Sequence, residues 1–368
     1  MMFDRRLLQN FDWILLLLLI LIGTISVVNL YSATYPVRNV SGSQIFIKQI
    51  YWYLIGFGVL LLMTTFDYYL LERLAYPAYF FSLVLLVMVL AIGKVHAGSQ
   101  RWLTFGGISF QPSELAKIVL VITLAKYFSE HGDYIEYRLR DLWQPFILIA
   151  LPCILIIKEP DLGTALILVV VSFSIILFAK VKWKSLLILI LTLLSIAPFV
   201  WFSLKEYQQM RILTFLRPDM DPLGAGYHIN QSKIAIGSGL FWGKGFLKGT
   251  QTRLHFLPEQ HTDFAFSVFA EEWGFVGAVF LLMLYLFLIL WGISISKNSK
   301  DRFGSMLSLG IVAIIFWQLA INVSMTTGLL PVVGIPFMMF SYGGSSLIST
   351  MAGMGLLMNI SMRRFMFR

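Results

Sequence analysis

Charged side chains are scarce in this sequence, 13% of 368 residues, so those set inside apolar stretches are where chemistry should be sought. Glu114 and Lys117 stand inside the largely apolar run 112–128. Their i, i+3 spacing puts them on one face of a helix, where they can meet, and Pro112 suits the first turn of that helix. A charge at mid-membrane costs about 2.5–3.5 kcal/mol on translocon scales, and such residues usually face a cavity or a partner. A lysine near a helix end could instead snorkel to the interface, but a glutamate does so poorly. The shared face therefore favours a functional cavity.

Asp161, in KEPDLG (158–163), opens another apolar run. A carboxylate there complements the helix dipole and reads first as a cap. Asp263 sits in FLPEQHTDF (256–264), where polar sequence turns apolar, and the cap reading applies equally to it and to Thr262. With His255, Glu259 and His261 it also offers metal ligands, although no spacing matches a helical zinc motif. A divalent cation, Mg²⁺ or Mn²⁺, held by carboxylates together with a substrate phosphate suits this neighbourhood better. Gly237, Gly239 and Gly243 approximate G-x-G-x-x-G with one residue too many, and no βαβ unit surrounds them, which excludes a dinucleotide site. In GIPFMMFSYGGSS (334–346) the small residues Gly343, Gly344, Ser345 and Ser346 permit close helix packing or close approach of a ligand.

The elements that must position these residues are membrane helices. With 58% hydrophobic residues and a mean hydropathy of +0.80, the chain does not have a soluble surface. Bilayer hydrocarbon is about 30 Å thick and a helix rises about 1.5 Å per residue, so apolar runs near 20 residues are the units. Charge-free runs occupy 13–37, 49–66, 74–93, 142–157, 162–179, 185–204 and 273–296, and 303–362 is long enough for two more, broken at 328–336. The run 112–128, charges included, is the tenth. The first is too long for a signal-peptide core and lacks a cleavage site. Cys153 is the single cysteine, so no intramolecular disulfide and no cysteine metal site can form.

The expected fold is therefore all-α and polytopic, a single integral membrane domain (1–368) with ten transmembrane helices. A long hydrophilic segment, 204–264, lies between the seventh and eighth. Its glycine content, apolar stretches and balanced charge suit a folded cap rather than a solvated tail. Of the 28 basic residues, about 15 fall on the segments that share a side with both termini, which the positive-inside rule places in the cytoplasm. The long segment is then extracytoplasmic. The net charge of +9 follows from topology and anionic lipid headgroups, with no need for nucleic acid.

Five blocks, RWLTFGGISFQPSELAK (101–117), EPDLG (159–163), FLRPDMDPLGAGYHINQSKIAIGSGLFWGKG (215–245), FLPEQHTDFAFSVFAEEWGF (256–275) and TGLLPVVGIPFMMFSYGGSS (327–346), resemble in order the signatures of the SEDS (shape, elongation, division, sporulation) family. The length and the N-terminal FDWILL resemble its rod-shape-determining members. One mild departure is the Phe337–Met339 stretch, where many members have Pro and Leu.

The resemblance implies the SEDS fold in a bacterial inner membrane. It also implies a peptidoglycan glycosyltransferase that polymerises lipid II at the outer face, releasing undecaprenyl pyrophosphate with inversion. Its partners would be a class B penicillin-binding protein and the elongation (Rod) complex. On this reading Asp263 is the general base, Glu114 orients Lys117, and Arg101 and Lys117 balance the pyrophosphate, with a divalent cation near Asp263. Trp102, Asp161, His261, Ser341, Tyr342, Gly343, Gly344 and Ser345 contact substrate. A lipid II flippase is the main alternative and a scaffold for the penicillin-binding protein another. Charges gathered toward one membrane face suit an enzyme better than a transporter, whose sites belong near the midplane.

Overall fold

In hydrocarbon every backbone polar group must be satisfied within the segment, so each long apolar run has to become a helix. The computed structural model, which describes residues 9–35, 43–96, 99–105, 108–131, 136–203, 206–217, 225–254, 256–257 and 259–364, has a helix at each of the ten expected positions. They are α1 (Trp13–Thr34), α2 (Ser43–Thr65), α3 (Tyr68–Ile92), α4 (Pro112–Glu130), α5 (Trp143–Lys158), α6 (Leu162–Phe178), α7 (Trp183–Ser203), α11 (Ala265–Lys297), α12 (Arg302–Thr327) and α13 (Gly344–Arg363). Among the described residues seven helices are long and apolar enough to cross a membrane, α6 and the first part of α7 are shorter apolar helices, and α4 carries charges that lower its hydropathy. The chain is a multi-pass membrane protein. His255, one of the metal-ligand candidates, lies outside the described residues.

The segment between α7 and α11 is folded, with α8 (Glu206–Leu216), α9 (Ala225–Ser238) and the single turn α10 (Thr250–Arg253). Helix α9 packs on α11 and α12. The Ser232 hydroxyl fixes it there, 2.7 Å from the Ser267 hydroxyl and donating to the Thr326 carbonyl at 2.6 Å.

An all-α reading misses one feature. Between α3 and α4 the chain forms an antiparallel meander, β1 (Lys94–His96), β2 (Ser99–Phe105) and β3 (Ile108–Phe110). The residues 101–105, RWLTF, include the aromatic and β-branched types that favour strands. The pairs His96–Ser99 and Phe105–Ile108 set the register at the ends of the two ladders.

Helix α4 touches α3, α5, α6, α12 and α13 and is buried along most of its length. A helix surrounded by helices can hold charge that a lipid-facing one cannot.

The break in the last long apolar run extends from Gly328, which ends α12 in a left-handed cap, to Gly343. It is non-helical yet its middle is core: Ile335, Phe337, Met338, Met339, Phe340 and Ser341 are all buried. Irregular backbone survives at such depth only when protein groups satisfy it. Polar side chains from four spans do so. Asn322 donates to the Ile335 carbonyl at 2.7 Å, Tyr285 to Met338 at 2.5 Å, Tyr53 to Met339, Ser26 to Phe340 at 2.9 Å and Gln49 to Ser341 at 3.3 Å.

Helix α11 starts eight residues before the charge-free run that announced it and is broken at Gly274 (φ 64°, ψ −163°). The break is covered by the glycine-rich segment 239–245. A Cβ on Gly239 would lie 2.2 Å from the Ala270 carbonyl oxygen, and one on Gly243 (φ 80°) 2.1 Å from that of Glu272. Gly239 and Gly243 of the near-dinucleotide set thus permit backbone to lie on backbone.

Candidate functional site

Separate stretches of chain bring charge to the end of the bundle that carries α8–α10. Strand β2 supplies Arg101, the α5–α6 turn Glu159 and Asp161, α8 Arg211, and the segment before α11 Glu259, His261 and Asp263. The N-termini of α4, α6 and α13 point to the same end, and those of α4 and α13 have no side-chain cap. Uncapped N–H groups and aligned dipoles make such an end favourable to anions.

Asp161 is the cap its position suggested, accepting from Thr164 N at 3.2 Å and from the Thr164 hydroxyl at 2.8 Å. It does more than cap. Arg101 Nη1 lies 3.6 Å from one oxygen, and Gln111 Nε2 donates to the other at 3.3 Å. Arg101 also donates to the Pro160 carbonyl. Its guanidinium is thereby fixed against the α5–α6 turn with 27% of the side chain still exposed. Trp102 follows on β2, half-buried, and the alternation of a strand turns it to the opposite face.

For Asp263 the cap reading fails. The N-cap of α11 is Phe264, with no side-chain cap hydrogen bond, and Thr262 turns back to the Glu259 carboxylate at 3.0 Å. What holds position 263 is its backbone, whose carbonyl accepts from Asn322 Nδ2 at 3.0 Å. The half-buried carboxylate lies over Gly334, where a Cβ would be 3.5 Å from Oδ2. Burial, and then the Glu259 charge, push its pKa up from the ordinary carboxylate value to about 6; Arg211 and Arg101 pull it down and Asp161 adds a smaller upward push. All these groups therefore act on one carboxylate. Burial lowers the pKa of the neighbouring His261 against the pull of Glu259.

Glu159 is fully buried, and neither carboxylate oxygen has a hydrogen-bond partner. Burial, helped by the Asp161 charge and opposed by Arg101, raises it to about 8.

Glu114 and Lys117 form the pair that their spacing predicts, with Lys117 Nζ donating to Glu114 Oε1 at 2.8 Å and side chains only 4% and 6% exposed. Beside them is a crevice of about 10 Å³ lined by Gln318, Met338 and Thr350 among others, room for about one water. The charge of Lys117 is committed to its partner, and the second cation acting on Asp263 is Arg211, which donates to the Val332 carbonyl at 3.4 Å. The pair lies one turn deeper than the cluster, since Gln318 precedes Asn322 by one turn of α12.

The start of α13 closes the site. Tyr342 N donates to the His261 carbonyl at 2.8 Å, and their rings are 6.1 Å apart. Ser345 Oγ accepts from Gln111 N at 3.3 Å and donates to the Ser109 carbonyl at 3.4 Å. Ser341 Oγ accepts from Phe337 N at 3.0 Å, and Gln49 reaches Gly343 N as well as the Ser341 carbonyl. Gly344 has a packing reason, for its Cβ would meet the Trp52 ring at 2.5 Å.

Arg211, Glu159, Gln49 and Asn322 are missing from the sequence-derived set. Glu159 stands inside a quoted block, Arg211 lies just outside one, and the two amides show only as polar residues within apolar runs.

With this geometry in hand, residues 9–365 match the FTSW_RODA_SPOVE family, described as cell cycle protein. The chain is 42% identical over 289 residues to "Peptidoglycan glycosyltransferase MrdB" of Escherichia coli, covering 78% of each. One solved structure, "Structural coordination of polymerization and crosslinking by a peptidoglycan synthase complex", contains a chain similar at a TM-score of 0.82 and 33% identity, over 96% of this chain and 98% of that one. Another is an aspartate-to-alanine mutant of the Thermus thermophilus rod shape determining protein RodA, with TM-score 0.73, 29% identity and coverage of 97% and 99%.

Proposed function

The chain belongs to the FtsW/RodA/SpoVE family of cell cycle proteins, and from that premise we propose that Asp263 is the general base for sugar transfer at the end of the bundle carrying α8–α10. The activity is that of its relatives: the protein is a peptidoglycan glycosyltransferase. The substrate we assign is lipid II, a disaccharide-peptide on a polyprenyl pyrophosphate, and the loop-bearing end then faces outward from a bacterial inner membrane, with both termini in the cytoplasm. The partner is a class B penicillin-binding protein of the elongation complex, in keeping with the matched synthase complex that couples polymerisation to crosslinking.

In the step, the 4-hydroxyl oxygen of the acceptor sugar attacks the donor's anomeric carbon. Its proton passes to Asp263, the bond from that carbon to the pyrophosphate oxygen breaks with inversion, and polyprenyl pyrophosphate departs. A base works best with a pKa near the operating pH, and positioned proton transfer typically contributes about 10²–10⁴ in rate. The charges of Arg101 and Arg211 both reach this carboxylate and, with the uncapped N-termini of α4 and α13, suit the leaving pyrophosphate. Trp102, His261 and residues 341–345 border the sugar path, while Glu114 and Lys117 support the floor.

Among the described residues no group of three or more His, Cys, Asp and Glu could hold a metal ion. Asp263 and Glu259 nevertheless suit a Mg²⁺ or Mn²⁺ whose remaining ligands are substrate phosphate oxygens and water. Such an ion would neutralise charge on the leaving group.

The observation that carries this reading is that the Asp263 carboxylate is spared from capping and lies over Gly334, while its backbone is held by Asn322. Asp263→Asn keeps the shape and removes the basic oxygen. Purified Asp263→Asn on labelled lipid II, with the partner present and its transpeptidase blocked, should lose at least about two orders of magnitude in polymerisation while keeping thermal stability. Wild-type polymerisation by Asp263→Asn would overturn the assignment of the base. A wild-type complex that makes no polymer would favour the flippase.

A further inference from the structure

The 239–245 segment does more than cover a broken helix. From Phe275 to Lys297 the second part of α11 has 23 residues, or roughly 35 Å at 1.5 Å per residue, enough by itself to cross the hydrocarbon core. The break at Gly274 therefore lies at the hydrocarbon boundary, where free N–H and C=O groups have little water to turn to. The segment takes up those groups. Phe275 N donates to the Leu240 carbonyl at 2.9 Å and Val276 N to that of Phe241 at 3.2 Å, while Lys244 N and Gly245 N donate to the Glu271 and Glu272 carbonyls, both at 3.0 Å. The buried Glu271 carboxylate locks the clasp, accepting from Lys244 Nζ at 2.7 Å and Thr250 N at 2.8 Å.

Held this way, the clasp turns its largest apolar side chains outward. Leu240 is 79% exposed, Trp242 77% and Phe241 55%. The Phe241 ring stacks on Phe275 at 5.8 Å and meets Trp242 edge-on at 5.2 Å. Phe275 in turn begins the outward face of α11 that continues through Val276, Phe280 and Met283, all exposed on a membrane-crossing helix. The aromatic patch is thus continuous with a lipid-facing surface and sits at its boundary. Lys248 and Arg253, which follow within the same loop, are exposed, as cations that meet anionic headgroups would be. Tryptophan beside lysine at a hydrocarbon boundary is the composition of an interfacial belt.

We propose that residues 240–246 are a membrane-interface anchor, with Leu240, Phe241, Trp242 and Phe246 lying at the headgroup–acyl boundary and holding the short first part of α11, just after Asp263, at a fixed depth. The inference depends on α11 crossing the bilayer and not on the catalytic assignment.

The test places an environment-sensitive fluorophore at Leu240→Cys in the full chain; the native Cys153 is buried and resists labelling. The protein alone goes into nanodiscs of phosphatidylethanolamine and phosphatidylglycerol carrying nitroxide either near the headgroup or deep in the acyl chain. Blue-shifted emission with stronger quenching by the shallow nitroxide is expected. Water-like emission without lipid quenching would overturn the proposal, whether or not adding the penicillin-binding partner then protects the probe, and protection by the partner would make the patch a protein-docking surface. Stronger quenching by the deep nitroxide would also overturn it. Trp242→Cys supplies a second label site if the first variant fails to fold, and its polymerisation activity, measured separately, keeps this result distinct from the fate of the base assignment.

Discussion

If Asp263 is the base, polymerisation must follow its titration. With the carboxylate near 6, the ionised fraction is about one-eleventh at pH 5 and ten-elevenths at pH 7, so kcat/KM should rise about tenfold across that window. An ordinary aspartate near 3.8 would be more than about 90% ionised throughout and give an almost flat profile. The neighbours set the direction of each variant. Glu259→Gln removes a charge that raises the pKa, so the midpoint should move to lower pH; Arg211→Gln removes one that lowers it, so the midpoint should move higher. Each shift should be on the order of half a pH unit, the effect of a partly solvated charge not in direct contact. Because Arg211 also serves the pyrophosphate, only the midpoint of kcat/KM against pH is diagnostic, not its height. The assay is initial polymerisation of labelled lipid II from pH 5 to 8 in constant-ionic-strength buffers with the partner present. A flat wild-type profile, or two variants whose midpoints move the same way, would refute the reasoning.

The remaining expectations concern stability and orientation. Glu114→Gln and Lys117→Met each strand a buried charge, so each should cost about 3–5 kcal/mol while the double variant recovers much of it; melting and yield in detergent check this, and two wild-type-like single variants would contradict it. Glu159 holds its proton to about pH 8 when folded but ionises near 4.5 when unfolded, so the folded state binds more protons between these values and stability falls as pH rises through the window. Glu159→Gln should flatten that fall in melting curves from pH 5 to 8, and an unchanged slope would remove Glu159 as its source. A tag after Arg368 or near Lys300 should be reachable only from the cytoplasm, and one near Lys248 only from outside.

The ten spans were legible because hydrocarbon imposes a length and composition that no local propensity overrides. Even the charged span could be found, because Glu114 and Lys117 are spaced to satisfy each other. The β meander was not, since three short strands inside a membrane protein compete poorly with helix as an expectation. In the site, Arg101, Asp161 and Asp263 stood out by type and by resemblance, and the structure brings them to bear on one another. Arg211 could not be found by spacing, because its role depends on how α8 returns toward Val332, and nothing within eleven residues of helix encodes that return.

The polar residues within the spans show why the site can be rigid. Asp263 is expensive to ionise, and its chemistry requires that it ionise where it stands, so the surroundings must not relax to solvate it. The backbone that flanks it is held from both sides. Asn322 ties the Asp263 carbonyl to that of Ile335 with one amide, and Asn29 on α1 donates to the Ala265 carbonyl at 3.0 Å, two residues further on. The facing 335–341 segment is pinned by hydroxyls and amides from α1, α2, α11 and α12. A loop that surrenders five carbonyls to four separate spans cannot shift without leaving buried acceptors unpaired, each at about 1–3 kcal/mol. The spans thereby lend a loop the stiffness of a helix, and a carboxylate with a proton affinity suited to neutral pH can persist at the membrane face.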